Sequence, residues 1–380
     1  MEKHSTVVGG STAARVLGCP GSVRLTAKAP PEGESSEYAN EGTALHEIMA
    51  ELVTAGSRDT ERYRGKVLHG TTIGDYHIEL LDKTLNAVRT LTDPTTNKVM
   101  VETHVALTPV PDAYGTADLV LVRDDSVVVL DYKFGSGVMV GIEGNKQLMF
   151  YAAALFFTHP ALFLDDAGKP KNIWIAILQP TDRDGDILKF EALEIDDLVA
   201  FTRQLVRALS RDDINLGDHC RWCPAITICP KMKEAAERSL ALTPDDMEPD
   251  ALRDALAMAS RLDSWITQLR SYAHQFASRG HAIPDYKLVP KRAVRHYKDE
   301  DVAAEQLVTL GLPTEDLWKK TLISPAQAEK ALKTKLPEGL IRARSSGTVL
   351  VPESDSRKPV VGGPALLQAL SDNLTALTSK

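Results

Sequence analysis

The stretch Gly115–Gly135, GTADLVLVRDDSVVVLDYKFG, decides how this chain folds. Leu119–Arg123 and Val127–Tyr132 are β-branched and aliphatic runs parted by the polar turn Asp124-Asp125-Ser126, the pattern of a β-hairpin. With Asp124-Asp125 as a two-residue turn, Leu119 faces Leu130 and Asp118 faces Asp131. The two Cβ atoms then stand about 4.5–5.5 Å apart. A three-residue turn sets the aspartates diagonally, still close enough to share an ion. Lys133, two residues beyond Asp131, points to the same side because strand side chains alternate.

Like charges facing each other destabilise a sheet unless something compensates them. A divalent cation does so, since Mg²⁺ is typically held by one or two carboxylates with water and phosphate oxygens. A lysine alongside can orient a water and stabilise charge developing on a phosphate. The three residues suit metal-dependent phosphodiester hydrolysis. The plainer alternative is an accident of turn chemistry.

The 380 residues suffice for two domains with separate cores. A 43% apolar and 25% charged composition is that of an ordinary globular protein. There is no run of eighteen apolar residues and no leader-like start, which argues for a cytoplasmic protein and against membrane insertion or secretion. The net charge of −8 argues against coating nucleic acid non-specifically but permits a local basic groove.

Upstream of the hairpin, two short helical patterns flank Gly18-Cys19-Pro20-Gly21, and a polar loop is expected at 30–42. After Gly42-Thr43, the apolar positions Leu45, Ile48, Met49, Leu52 and Val53 repeat at helical spacing, with His46 beside them. Residues 78–101 suggest a helix leading into a strand, Lys98–Val105, that contains Glu102 and His104. Downstream come a glycine-rich loop at 135–144 and the helix NKQLMFYAAALFF, on which Gln147 and Tyr151 share a face. Strands Asn172–Gln179 and Lys189–Leu193 and a helix Asp196–Ser210 follow, giving an α/β core with a mixed sheet.

Past a boundary near 240, a long amphipathic helix is expected at Pro249–Ser278, with Leu252, Leu256, Leu262, Trp265, Ile266 and Leu269 on its apolar side. Ser324 reads as an N-cap with Pro325 in the first turn. The run Tyr286–Lys298 carries Lys287, Lys291, Arg292, Arg295 and Lys298 with Tyr286, His296 and Tyr297 interleaved. It suits either a DNA-backbone track or a lysine-protected strand edge. Residues 359–380 read as a loop and a terminal helix.

Cys220, Cys223 and Cys229 form C-x₂-C-x₅-C, and Cys19 is the fourth and last cysteine. Such clustering favours a metal or iron–sulfur site in a reducing compartment over disulfides. Four thiolates bind either zinc or an iron–sulfur cluster, and residue types alone leave both open.

Together, Asp118, Asp131-Tyr132-Lys133 with Gly135, and Gln147-x₃-Tyr151 resemble the motifs of the PD-(D/E)XK nuclease superfamily, RecB-like branch. The Gly-Thr before Asp118 and His46 in GTALHE fit that branch. CRISPR spacer-acquisition and AddB-type nucleases within it carry one cysteine before the core and three after it, as here. The resemblance covers roughly residues 10–235, and the downstream region is similar to a phage and prophage family.

The resemblance implies a restriction-endonuclease-like mixed central sheet flanked by helices, with a cysteine-stapled helical periphery and an α+β C-terminal domain (1–239 and 240–380). It implies Mg²⁺ or Mn²⁺ held by Asp118, Asp131, the Tyr132 carbonyl and His46. Lys133 would position the water, and Gln147 and Tyr151 would steady the site and contact DNA. Cys19, Cys220, Cys223 and Cys229 would hold a [4Fe–4S] cluster, structural Zn²⁺ being the alternative. Glu102 enters only as a neighbouring carboxylate.

The expected activity is an exonuclease in phage recombination, replication or repair. The alternative is a catalytically silent nuclease-fold DNA-binding or scaffolding protein. No G-x₄-G-K-[ST] phosphate loop is present, so a helicase, like an annealing or single-strand-binding protein, would be a separate partner.

Overall fold

The computed structural model describes residues 5–29, 37–92, 95–135, 139–181, 186–240, 248–291, 294–317, 324–332, 334–337, 339–344, 348–352 and 360. The chain divides into two compact units, Met1–Ile266 and Thr267–Lys380.

The first unit begins with α1 (Gly10–Gly18), α2 (Ser22–Thr26) and α3 (Glu37–Thr54), then a hairpin of β1 (Val67–Leu68) and β2 (Thr71–Thr72), and α4 (Asp75–Leu91). Strands β3 (Thr96–Ala106), β4 (Tyr114–Arg123) and β5 (Ser126–Tyr132) follow, then α5 (Lys146–Thr158), β6 (Asn172–Leu178), β7 (Leu188–Leu193), α6 (Ile195–Leu209) and α7 (Pro230–Leu240). Helix α8 (Pro249–Ser278) contains the point of division.

Five strands form one sheet in the order β3-β4-β5-β6-β7. Only β5 and β6 run parallel; α5 makes the crossover between them, and the other pairs are antiparallel. This is a mixed α/β architecture. The sheet is covered on both faces, and side-chain alternation sorts the core accordingly. Val120, Val122, Val127, Val129, Ile173 and Ile175 pack with α1, α5 and α6. Leu119, Leu121, Val128, Leu130, Ala176 and Leu178 pack with α3 and α4. Strand β5 is buried along its whole length, the reason it reads as an unbroken apolar run.

The hairpin has the two-residue turn, pairing Leu119 with Leu130 and Val122 with Val127. Helix α5 is capped by Asn145, whose side chain accepts from the N–H groups of Gln147 and Leu148. The polar loop expected to end at Gly42 ends sooner, because α3 starts at Glu37. Glu37 suits a first turn by its charge, and the Thr43 hydroxyl bonds back to the Ala39 carbonyl at 2.9 Å, so neither Gly42 nor Thr43 breaks the helix. On α8, Leu262 and Trp265 from the expected apolar side pack, with Met258, against the cluster that contains Cys220 and Cys223. Leu252, Leu256 and Leu269 are instead exposed, so the apolar stripe is only partly buried.

The second unit holds α9 (Glu300–Thr309), α10 (Thr314–Leu317) and α11 (Pro325–Leu332). It also has two antiparallel strand pairs, β8 (Tyr286–Pro290) with β11 (Thr348–Pro352) and β9 (Val294–Tyr297) with β10 (Ile341–Arg344). Ser324 caps α11, its hydroxyl accepting from the Gln327 N–H at 3.4 Å. Its core joins Ala303, Leu307, Leu312, Leu317, Ala328 and Tyr297. Tyr297 is therefore a core residue, and of the aromatics in the basic run it offers no exposed ring to a DNA backbone. The terminal helix expected within 359–380 lies outside the described residues, as does Arg292; the Arg295 side chain is likewise outside them.

Candidate active site

Where β4 meets the end of β5, side chains from both sides of the sheet converge. Extending the hairpin register one place sets Asp118 opposite Asp131, as the turn chemistry predicts. Both are buried, at 7% and 2% exposure. Asp118 accepts a hydrogen bond from the Tyr132 N–H at 2.7 Å through Oδ2. The same oxygen lies 3.4 Å from His46 Nδ1.

His46 follows the buried Leu45 on α3 and stands at the rim of that helix's core face. Its ring sits edge-on to Tyr132 at 5.8 Å and Phe134 at 5.4 Å, so two aromatic rings fix its orientation. Burial opposes protonation of the imidazole, but Asp118, with Asp131 and Glu102 behind it, outweighs that and raises its pKa.

Glu102 completes this half of the site. The β3–β4 register pairs Val101 with Leu119 and Thr103 with Ala117, which brings Glu102 level with Asp118. Glu102 has φ +44°, a left-handed conformation that a non-glycine residue adopts at a cost. One ligand atom each from His46, Glu102 and Asp118 lies within 4.8 Å of the others. Mixed imidazole and carboxylate donors at that spacing suit a divalent cation. Sequence reasoning gave Glu102 only a supporting place. Its alignment with Asp118 follows from strand register, but its kinked backbone has no sequence signature.

The other half is a hydrogen-bonded chain from β5 to α5. Lys133 Nζ lies 2.5 Å from Asp131 Oδ2 and donates to Gln147 Oε1 at 3.0 Å. Gln147 Nε2 donates to Asp131 Oδ1 at 2.7 Å and approaches the Tyr151 hydroxyl at 3.4 Å. Asp131 Oδ2 is buried, and its close partner is the Lys133 ammonium in an ion pair. Burial foremost, then the Asp118 charge, push the Asp131 carboxyl up to about 6 against the pull of Lys133. Glu102, although its side chain is exposed overall, is pushed up to about 7 by partial desolvation and by Asp118. Three acids crowded beside one lysine and one histidine hold an excess of negative charge that a cation would relieve.

Tyr151 is seated by two glycines. A Cβ on Gly10 would come within 2.4 Å of its ring, and one on Gly115 within 3.0 Å. Gly115 in the Gly-Thr-Ala-Asp segment thus leaves room for the tyrosine that Gln147 addresses. The Gly10 contact joins segments too far apart in the chain for sequence to show.

The thiols form a separate site. Cys220, Cys223 and Cys229 share one apolar cluster with Ala225, Ile226 and Met232. Cys19 approaches through the 3.4 Å hydrogen bond from the Asn215 N–H to its sulfur, and the Gly217 N–H makes a matching bond to Cys220. Burial chiefly pushes the Cys223 thiol up, with Cys220 and Cys19 adding to it. No three of the four sulfurs lie within 4.8 Å of one another; among the described residues only His46, Glu102 and Asp118 meet that spacing. The sulfurs are thus not gathered as ligands to a single ion.

In the second unit, Lys287 lies on β8, Arg295 on β9, and Lys291 and Lys298 border these strands. None of the described helices is long and apolar enough to cross a membrane.

Residues 4–358 match a family described as Protein of unknown function (DUF2800). Among solved structures, the chain is similar to a crystal structure named "Putative exonuclease" from Eubacterium rectale, at 10% identity and a TM-score of 0.31, covering 57% of this chain and 88% of that one. It is also similar to a crystal structure named SSO0001, at 12% identity and a TM-score of 0.27, covering 60% and 88%.

Proposed function

The chain belongs to the DUF2800 family, and for it we propose a metal-dependent deoxyribonuclease that hydrolyses DNA phosphodiester bonds from an end. The observation that carries this reading is the convergence of His46, Glu102 and Asp118 at ligand spacing beside the Lys133–Asp131–Gln147 chain. Residues fit for Mg²⁺ or Mn²⁺ are His46, Glu102 and Asp118, with Asp131 beside them and joined by the Tyr132 carbonyl. When bound, the ion supplies Lewis-acid polarisation of the phosphate and acidification of a water.

The protein's own groups do the rest. The Lys133 ammonium, held between Asp131 and Gln147, presents positive charge where the phosphate becomes more negative. Gln147 fixes Asp131 and Tyr151 together, so these groups are prepositioned before substrate arrives. The phage setting and a role in recombination, replication or repair belong to the same proposal, with a separate helicase, annealing or single-strand-binding protein as partner. Lys287, Lys291, Arg292, Arg295 and Lys298 are proposed to track the DNA backbone.

For the cysteines we propose a [4Fe–4S] cluster. Tetrahedral zinc with Zn–S bonds of about 2.3 Å would draw the sulfurs to about 3.8 Å of one another. Cys19, Cys220, Cys223 and Cys229 would be the residues that hold the cluster, which would fasten the N-terminal helices to the three-cysteine segment. The N–H donors on Cys19 and Cys220 suit anionic thiolates.

The test is cleavage of end-labelled single- and double-stranded DNA with and without Mg²⁺ or Mn²⁺. Activity is expected only with metal, and it should vanish in Asp118→Ala, Asp131→Ala and Lys133→Ala. Unimpaired cleavage by folded Asp131→Ala overturns the reading. Tight DNA binding without cleavage under any divalent ion would favour the scaffolding alternative.

A further inference from the structure

Strands β3 and β4 extend beyond Glu102 and Asp118, and the alternation of their side chains breaks at those two residues. Leu119 and Leu121 pack towards α3 and α4, whereas Ala117 packs with α1 and α5. On the neighbouring strand Val101 packs on the α3 side and Val105 on the α1 side. The change of side falls at Asp118 and at Glu102, whose φ is +44°. A Cβ on Gly115 would stand 3.0 Å from the Tyr151 ring, so the odd-numbered residues here face α1 and α5. Their even-numbered neighbours His104, Tyr114 and Thr116 therefore leave on the opposite side, where His46 of α3 stands.

The β3–β4 register sets His104 opposite Thr116 and Ala106 opposite Tyr114, so His104 and Tyr114 are diagonal neighbours. Their ring centroids are 5.4 Å apart, with the planes tilted by 45°. His104 is exposed and Tyr114 half-buried, so the pair is an open aromatic shelf and no part of the core. Tyr114 precedes Asp118 by four residues, roughly 13 Å along the strand, which is within a few nucleotides of a phosphate held there. From Glu102 to Asp118 the sequence has no lysine or arginine, so the shelf cannot hold phosphates by charge. What it offers is ring faces, and these take unpaired bases of any sequence.

We propose that His104 and Tyr114 are substrate-positioning residues that stack unpaired bases of the DNA strand entering the site, which makes a single-stranded end the substrate. The proposal rests on the nuclease reading above and adds to it the form of DNA that the site accepts. A merely structural ring pair would brace the β3–β4 ladder and leave the bases of the substrate without influence.

The experiment uses the full chain with Mn²⁺ and end-labelled single strands, either intact or carrying one abasic site within the first few nucleotides of either end. Wild type, Tyr114→Ala, Tyr114→Phe and His104→Ala are compared in KM and kcat. Single-strand binding is followed separately by fluorescence anisotropy with Ca²⁺ in place of Mn²⁺. Tyr114→Ala should raise KM roughly tenfold with kcat little changed, and Tyr114→Phe should keep wild-type values. On a strand abasic at the contacted position, wild type should lose the same factor and Tyr114→Ala should lose nothing more. His104 is exposed, so His104→Ala carries the test if Tyr114→Ala fails to fold. DNA neither bound nor cleaved by wild type overturns the nuclease reading and this inference together. Cleavage by a wild type indifferent to every abasic position, or equal losses by the variants on intact and abasic strands, overturns the inference alone.

Discussion

Asp131→Asn should make the metal-free protein more stable while abolishing cleavage. The carboxyl of Asp131 is buried and its pKa is raised from 3.8 to about 6. Between those values the folded state keeps a proton that the unfolded state has lost, so stability falls as pH rises through that window. Roughly two units correspond to about 3 kcal/mol, fully present above pH 6 and about half present at pH 5. Asparagine escapes this penalty, and its carbonyl can still accept from Gln147. It gives up the ion pair with Lys133, whose side chain is 27% exposed and can turn to water. A net gain of about 1–2 kcal/mol remains, or a melting temperature roughly 3–6 °C higher.

The assay is thermal unfolding in EDTA at pH 7.5 and pH 5, repeated with Mn²⁺. The variant's lead should shrink at the lower pH, and Mn²⁺ should stabilise wild type more than the variant. A variant that melts at or below wild type in EDTA at pH 7.5 would refute the claim that Asp131 sits strained in the empty site.

Glu102→Gly should relieve the backbone cost at φ +44° and raise metal-free stability by about 1 kcal/mol, seen in urea unfolding, while weakening Mn²⁺ binding by calorimetry. His46→Ala should raise the metal concentration needed for half-maximal cleavage at least tenfold or so, more for Mn²⁺ than for Mg²⁺, because imidazole matches transition metals better. Gly10→Ala should force the Tyr151 ring aside, costing about 1–3 kcal/mol in chemical unfolding and lowering cleavage with metal affinity unchanged.

Local chemistry made much of this legible. The Asp124-Asp125 turn sets the register that pairs Leu119 with Leu130, and from that register follow the facing aspartates and the position of Lys133. Gln147 and Tyr151 come from helical spacing on a helix that Asn145 caps. Features that depend on tertiary context stayed hidden. Glu102 became a full member of the site through a left-handed backbone that residue identity does not encode. Glycine and threonine at 42–43 suggested a helix start, yet α3 runs through them. Tyr297, named only as one of the aromatics interleaved in a basic run, is core because α9 to α11 gave it neighbours that its own segment does not contain.

Helix α1 has a consequence beyond its packing. Gly10, its first residue, abuts Tyr151 of the active site; Gly18, its last, abuts His219 beside Cys19. Nine residues of helix span about 14 Å and scarcely bend. The helix is therefore a fixed ruler between two kinds of chemistry, with glycine at each end because each end touches a ring. Slack introduced at the thiols would be read out as misalignment at the tyrosine, so that damage to one site is also a measurement made at the other.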